Sequence, residues 1–188
     1  LRLQAGPIAW FGMLNSLSMT LVKLTSPGVP DFYQGNELFD LSLADPDNRR
    51  PVDYGRRRAL LEQLQRVAAA PADGLAASAR GLFDDPFDGR SKLWLVWRAL
   101  QLRSECPRLF LEGDYRPVAA SGERSHHVVA YARRLGDCGI IVAAGRLFAS
   151  LGTEPGVLPV GEAAWRDTVL DLGFVPESAR LESVLTGE

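Results

Sequence analysis

Near residue 108 the chain changes its hydrophobic period, and that change limits the folds open to it. Before it, apolar residues recur at helical spacing. Leu60, Leu61, Leu64, Val67 and Ala68 follow i, i+1, i+4, i+7, i+8 and form one face, which Pro71 is expected to end. The strongest helix signal is Lys92 to Glu105, with Ser91 as its expected N-cap, Leu93, Trp94, Val96, Trp97, Leu100 and Leu102 apolar, and Pro107 beyond its end. Trp94 and Trp97 share its buried face, so core packing is favoured for them over ligand stacking. A further helix is expected from Pro7, a residue suited to a first turn, to Leu24. After Pro107 the texture is β: Tyr115–Ala119, His127–Leu135, Gly139–Ala144, Trp165–Leu172 and Leu181–Leu185 are short β-branched or aromatic runs between turn residues. Gly136-Asp137 joins two of them as a hairpin signal of type II′. The division is therefore a helix-rich part, residues 1–108, and an antiparallel all-β part, residues 109–188.

Charge and composition exclude several classes. With 21 Lys plus Arg against 23 Asp plus Glu the net charge is −2, and 46% of residues are apolar; no nucleic-acid partner and no disordered tail is expected from that balance. Leu3–Val22 is uncharged and long enough to cross a bilayer, but Gln4, Asn15, Ser16, Ser18 and Thr20 suit a helix buried against protein, so no membrane partner is expected. Nothing at the start resembles a signal peptide. Cys106 and Cys138 are too few for a disulfide framework and too isolated for a zinc site, which makes a reducing cytoplasm the default location. His126 and His127 are adjacent in an expected strand, where they point to opposite faces and cannot clasp one metal; strand surface is their expected place, and no metal or cofactor is implied. The chain begins at Leu1 rather than Met and stops at Gly187-Glu188 just after an apolar run, which reads as a piece of something larger.

Between the first two helices lie the residues that can carry chemistry. Val29–Tyr33 is a short run consistent with a buried strand, although Pro30 restricts it to a strand start or an unpaired position. Gln34–Tyr54 holds no period and reads as a long loop, with turn chemistry at Asp45-Pro46-Asp47-Asn48. Residues 71–91, rich in Ala, Gly, Asp and Pro, read as a connector. Around the loop Asp31, Glu37, Asp40, Asp45, Asp47, Asn48, Arg49, Arg50 and Asp53 alternate with Phe32, Tyr33, Phe39 and Tyr54. Carboxylates, amides and guanidinium groups hold vicinal hydroxyls in pairs while aromatic faces cover a pyranose, so one reading is sugar binding. The other is a loop that ties itself down with Asx turns and ion pairs, Arg49 or Arg50 pairing with Asp45 or Asp53, and Asp31 tying the strand end. No Ser-His-Asp set, phosphate-binding glycine loop or Cys-x-x-Cys pair is present.

The run Thr25-Ser26-Pro27-Gly28-Val29-Pro30-Asp31-Phe32-Tyr33-Gln34-Gly35-Asn36-Glu37 resembles the eighth-strand signature of the α-amylase superfamily. Its continuation to Tyr54, with Asp45-Pro46-Asp47-Asn48-Arg49-Arg50-Pro51-Val52-Asp53, is more specific and resembles the maltooligosyltrehalose synthase family. Lys92-Leu93-Trp94-Leu95-Val96-Trp97-Arg98, Leu102-Arg103, Trp165-Arg166-Asp167-Thr168 and Leu185-Thr186-Gly187 extend the likeness, while Asn36 and Phe39 stand where Thr or Ser, and Trp, are more usual.

The resemblance implies a fold: the C-terminal part of a (β/α)8 barrel, comprising a helix, strand eight, a long loop and the last helices, followed by a truncated antiparallel β-sandwich. It also implies an isomerase, a (1→4)-α-D-glucan 1-α-D-glucosylmutase that turns the reducing-end α-1,4 bond of a maltooligosaccharide into an α,α-1,1 bond. The superfamily's three catalytic carboxylates belong to strands four, five and seven, so this chain is expected to lack them and to be inactive alone. What it would supply is one wall of the reducing-end pocket, with Tyr33, Gln34, Glu37, Asp47, Asn48, Arg49 and Arg50 as the expected substrate-binding residues. The competing readings are another α-glucan hydrolase or transferase of the same superfamily, and a non-catalytic carbohydrate-binding or structural module. Helices that normally cover a barrel would leave apolar faces open, so the isolated chain is expected to self-associate.

Overall fold

The computed structural model describes residues 2–69 and 72–188. In chain order its helices and strands are α1 (Arg2–Thr25), α2 (Tyr54–Ala68), α3 (Ala72–Gly81), α4 (Arg90–Glu105), α5 (Pro107–Glu112), β1 (Arg116–Pro117), β2 (Ala120–Ser121), β3 (Val128–Leu135), β4 (Cys138–Gly145), α6 (Glu162–Trp165) and β5 (Val169–Leu170), with 3-10 turns at Asp47–Arg49, Ser125–His127 and Phe148–Ser150. The fold is thus helices with small antiparallel sheets. Two compact units share it: the chain up to Val29 with Arg103–Arg180, and Pro30–Leu102 with Leu181–Glu188. Compactness therefore follows a different line from the change of texture near residue 108, because α1 packs on β4.

In the first unit β1, β3 and β4 form one antiparallel sheet in the order β1-β3-β4, and β2 pairs with β5 in a second. The β3–β4 hairpin closes from Val128↔Gly145 to Leu135↔Cys138 around Gly136-Asp137, and only Gly136 takes a positive φ, +61°, as a type II′ turn requires. From α1, Trp10, Met13, Leu14 and Leu24 are buried at helical spacing. The helix is fastened to the sheet by Tyr131, 1% exposed, whose hydroxyl lies 2.6 Å from Thr25 Oγ1. Thr25 Oγ1 also donates to Leu21 O at 2.6 Å and the Tyr131 hydroxyl to Val22 O at 3.3 Å, so the two hydroxyls tie the end of α1 to β3. Arg133, 2% exposed, fills the end of α5: it donates to Phe110 O, Gly113 O and Asp114 O at 3.0, 2.8 and 3.2 Å. Arg103 lies over the Phe110 ring, 4.6 Å from its centroid, and donates to Leu24 O and Gly28 O. Burial, and then repulsion from Arg133, hold the Arg103 guanidinium below its ordinary pKa.

The second unit is a helical cluster whose buried core is Leu38, Leu64, Leu75, Leu82, Leu93 and Trp94. Asp53 caps α2 by accepting the Arg56 N–H at 2.8 Å. Trp94 and Trp97 meet edge to face with centroids 5.5 Å apart, as core residues do.

Several expectations differ from this structure. The first helix starts at Arg2 rather than near Pro7, since a proline early in a helix forgoes one hydrogen bond without ending it. Pro71, expected to stop α2, lies outside the described residues. Within the expected connector 71–91 the Ala-rich stretch forms α3, its helix propensity outweighing the flanking breakers. Ser91 does not cap α4: it sits buried inside the first turn, and the Asp88 carboxylate accepts the Arg90 N–H instead, at 2.7 Å. Residues 29–33 pair with no strand among the described residues, and Val29 is 87% exposed. Residues 165–172 are split, because Gly161 and Arg166 at φ +72° and +55° turn the chain around α6 before β5 begins. Leu181–Leu185 forms no ladder; its carbonyls are taken by side chains of α4, Trp94 Nε1 on Leu185 O and Arg98 Nε on Val184 O, at 3.1 and 2.8 Å. His126 and His127 occupy a 3-10 turn rather than a strand, with ring centroids 4.0 Å apart, and His127 is buried with Nδ1 3.3 Å from Arg146 O.

No helix among the described residues is long and apolar enough to cross a membrane. The α1–β3 fastening is directly testable. Tyr131→Phe leaves the ring and removes the buried donor, and is expected to cost about 1–2 kcal/mol in chemical denaturation, with the slope against denaturant unchanged.

Candidate functional site

The polar residues of the loop are tied largely to one another. Asp40 accepts the Ser42 N–H and Oγ–H at 2.9 and 2.5 Å, an Asx turn that starts the loop's outward arm. Asp47 Oδ2 accepts the Leu43 N–H at 2.8 Å and so closes that arm on the 3-10 turn. Arg50 then spans both, donating to Ser42 Oγ at 2.8 Å and to Asp47 O at 3.0 Å, with Asp47 Oδ2 at 3.4 Å. Arg49 forks onto Asp45 with both bonds at 2.6 Å, and the Asp45–Pro46 peptide between the two arms is cis.

The expected binding residues are thus only partly assembled. Asp47, Arg49 and Arg50 share the outer turn with Asn48. The Arg49–Asp45 pair follows the self-tying reading, whereas Arg50 pairs with Asp47 and Asp53 is occupied as the α2 cap. Asn48 is different: its Oδ1 is shut off from solvent and has no hydrogen-bond partner among the described residues. A buried acceptor left open is costly unless a ligand or water completes it. Tyr33 and Gln34 are exposed, and the Tyr33 carbonyl accepts the Asn36 N–H at 3.2 Å. Glu37 faces Arg57, whose Nε lies 2.6 Å from Oε1 at an angle too steep for a hydrogen bond, so the contact is Coulombic.

Three residues outside the expected set hold this arrangement. Ser42 joins Asp40 to Arg50, Arg57 reaches the loop from α2, and Lys92 reaches it from α4. Lys92 carried a signal, as a cation amid the apolar positions Leu93, Trp94 and Val96. Elsewhere, a cleft of about 460 Å³ lined by Glu123, Glu162, Ala163, Arg166 and Asp167 belongs to the first unit and includes none of the expected residues. Among the described residues no group of three or more His, Cys, Asp or Glu is placed to hold a metal.

The Ser42 hydroxyl, and then its amide, hold the Asp40 carboxyl below its ordinary pKa; burial opposes them, and the positive charges of Arg50 and Lys92 add smaller downward effects. A folded-state pKa below the unfolded one adds stability above the unfolded value and loses it as pH falls through the folded value. Ser42→Ala is therefore expected to move the Asp40 titration upward toward that of a free aspartate in a carboxyl-resolved NMR titration.

No protein-family model matches the chain. Two sequences from strains of Mycobacterium tuberculosis that carry the name maltooligosyl trehalose synthase are 41% identical to it over 158 residues, 82% of this chain and 17% of theirs. The structure of maltooligosyltrehalose synthase from Arthrobacter ramosus superposes with a TM-score of 0.67 at 34% identity, covering 94% of this chain and 19% of that one. A point mutant of the same enzyme gives 0.68 at 35% identity over the same shares. The chain spans about a sixth, 17%, of the length of the curated relatives it matches. On a sequence likeness that runs along most of its length and a shared fold over nearly all of it, the chain belongs to the maltooligosyl trehalose synthase family.

Proposed function

We propose that the chain is a segment of a trehalose-forming isomerase and supplies one wall of the pocket that holds the reducing end of a maltooligosaccharide. The observation that carries this reading is the outer turn of the loop, where Asp47, Arg49 and Arg50 are set by internal bonds while the Arg49 and Arg50 side chains stay exposed. A wall built that way has donors and acceptors in fixed places before a sugar arrives, which spares the ordering cost of binding. In the same reading residues 1–108 belong to a (β/α)8 barrel, residues 109–188 to a β-sandwich, and the enzyme works in the cytoplasm.

The reaction keeps the α configuration at the transferred anomeric carbon, so it needs two displacements. A carboxylate attacks that carbon and the bond to O4 of the terminal glucose breaks, O4 taking a proton from a second carboxylic acid. The released glucose turns without leaving, and its own anomeric hydroxyl attacks the glycosyl-enzyme, returning the proton to the second carboxylate. Exclusion of water separates this outcome from hydrolysis. No carboxylate of this chain is assigned to either catalytic role: Asp45, Asp47, Asp53 and Glu37 are engaged in the ties described above.

Leu41 and Leu43 of the loop are exposed, as are Val29 and, on α1, Ile8 and Met19, which supports association of the isolated chain with itself. The functional test is the balance of reducing ends. The whole protein acting on maltopentaose is expected to consume reducing ends without releasing glucose, and the 188-residue chain alone to do neither. A rise in reducing ends would assign the whole protein to the hydrolases instead.

A further inference from the structure

The base of the loop is gripped by two cations that the reaction above does not use. Arg57 donates Nη2–H to Gly35 O at 2.7 Å and sets Nε against Glu37, in a pair whose side chains are only 17% and 25% exposed. Lys92 is 8% exposed, donates to Leu38 O at 3.2 Å and lies 5.5 Å from the centre of the Phe39 ring. A glycine shapes each grip. Gly35 sits at φ +89°, and a Cβ there would come within 3.2 Å of Arg57 Nη2 and 3.3 Å of Val52. Gly89 sits at φ +90°, and a Cβ there would come within 3.0 Å of Leu38. Both close approaches therefore need residues without a side chain.

Burying an ammonium is expensive, and its charge-assisted bond to a carbonyl offsets that cost only where the carbonyl stays in place. By contrast the pair at the loop's tip, Arg49 with Asp45, is more than half exposed on both sides, a setting in which ion pairs contribute little. Placement of the loop is thus decided at Gly35–Phe39 rather than at the tip.

We propose that Arg57 and Lys92 are positioning residues: they act through the backbone of Gly35–Phe39 to preset the loop up to Asp53 for a maltooligosaccharide end, without touching sugar themselves. The identity of the ligand rests on the function proposed above; the placement does not. The test is amide hydrogen exchange on the whole chain, paired with calorimetric titration of maltopentaose. Lys92→Met keeps the apolar stem and removes the ammonium. It is expected to speed exchange across 38–50 roughly tenfold, as loss of one charged hydrogen bond implies, to leave the amides of α2 and α4 unchanged, and to weaken maltopentaose by a similar factor. Lys92→Arg is expected to restore both. Arg57→Lys, which keeps the charge but loses the fork, provides the same comparison if Lys92→Met does not fold. Unchanged loop exchange in a folded variant overturns the proposal. If exchange responds as expected but the unsubstituted chain does not bind maltopentaose, positioning stands and the sugar reading fails.

Discussion

A carbonyl buried outside a helix or ladder must find a donor, and among the described residues long side chains rooted in regular elements provide several of them. Arg133 on β3 takes three carbonyls at the end of α5, Arg103 takes Leu24 O and Gly28 O, and Trp94 and Arg98 take the carbonyls of the segment near the chain's end. Arg57 and Lys92 do the same for the base of the loop. Irregular backbone is therefore held in one shape by groups whose own positions are fixed by packing. That constraint lets a loop without ladder bonds keep one shape.

The loop is held in two places. Its base is anchored from α2 and α4, and its tip is closed by Asx-type bonds among Asp40, Ser42, Asp47 and Arg50. The Arg49 and Arg50 side chains keep exposed donors at the tip, whereas Asn48 Oδ1 is shut off from solvent.

What the sequence disclosed depended on how local the signal was. The Gly136-Asp137 hairpin and the helices around Leu64 and Trp94 are written in neighbouring residues, and they form where those residues say. The α3 helix was hidden because Gly, Pro and Asp at its flanks masked an alanine-rich interior. Residues 29–33 and 181–185 have strand composition but no ladder, because a strand is made by its partner and composition does not name one. In the loop, Arg49–Asp45 was readable at a spacing of four residues, whereas Arg57 on Gly35 and Lys92 on Leu38 join positions 22 and 54 residues apart, beyond any spacing rule.

The central claim is that the outer turn is a preset sugar wall. Backbone amide shifts of the chain titrated with maltopentaose test it most directly. Saturable shifts confined to Asp45–Arg50 and Tyr33–Glu37, with no change in the helices behind, are the predicted result. Shifts centred on the Glu123–Asp167 cleft of the other unit, or none at saturating sugar, would contradict it.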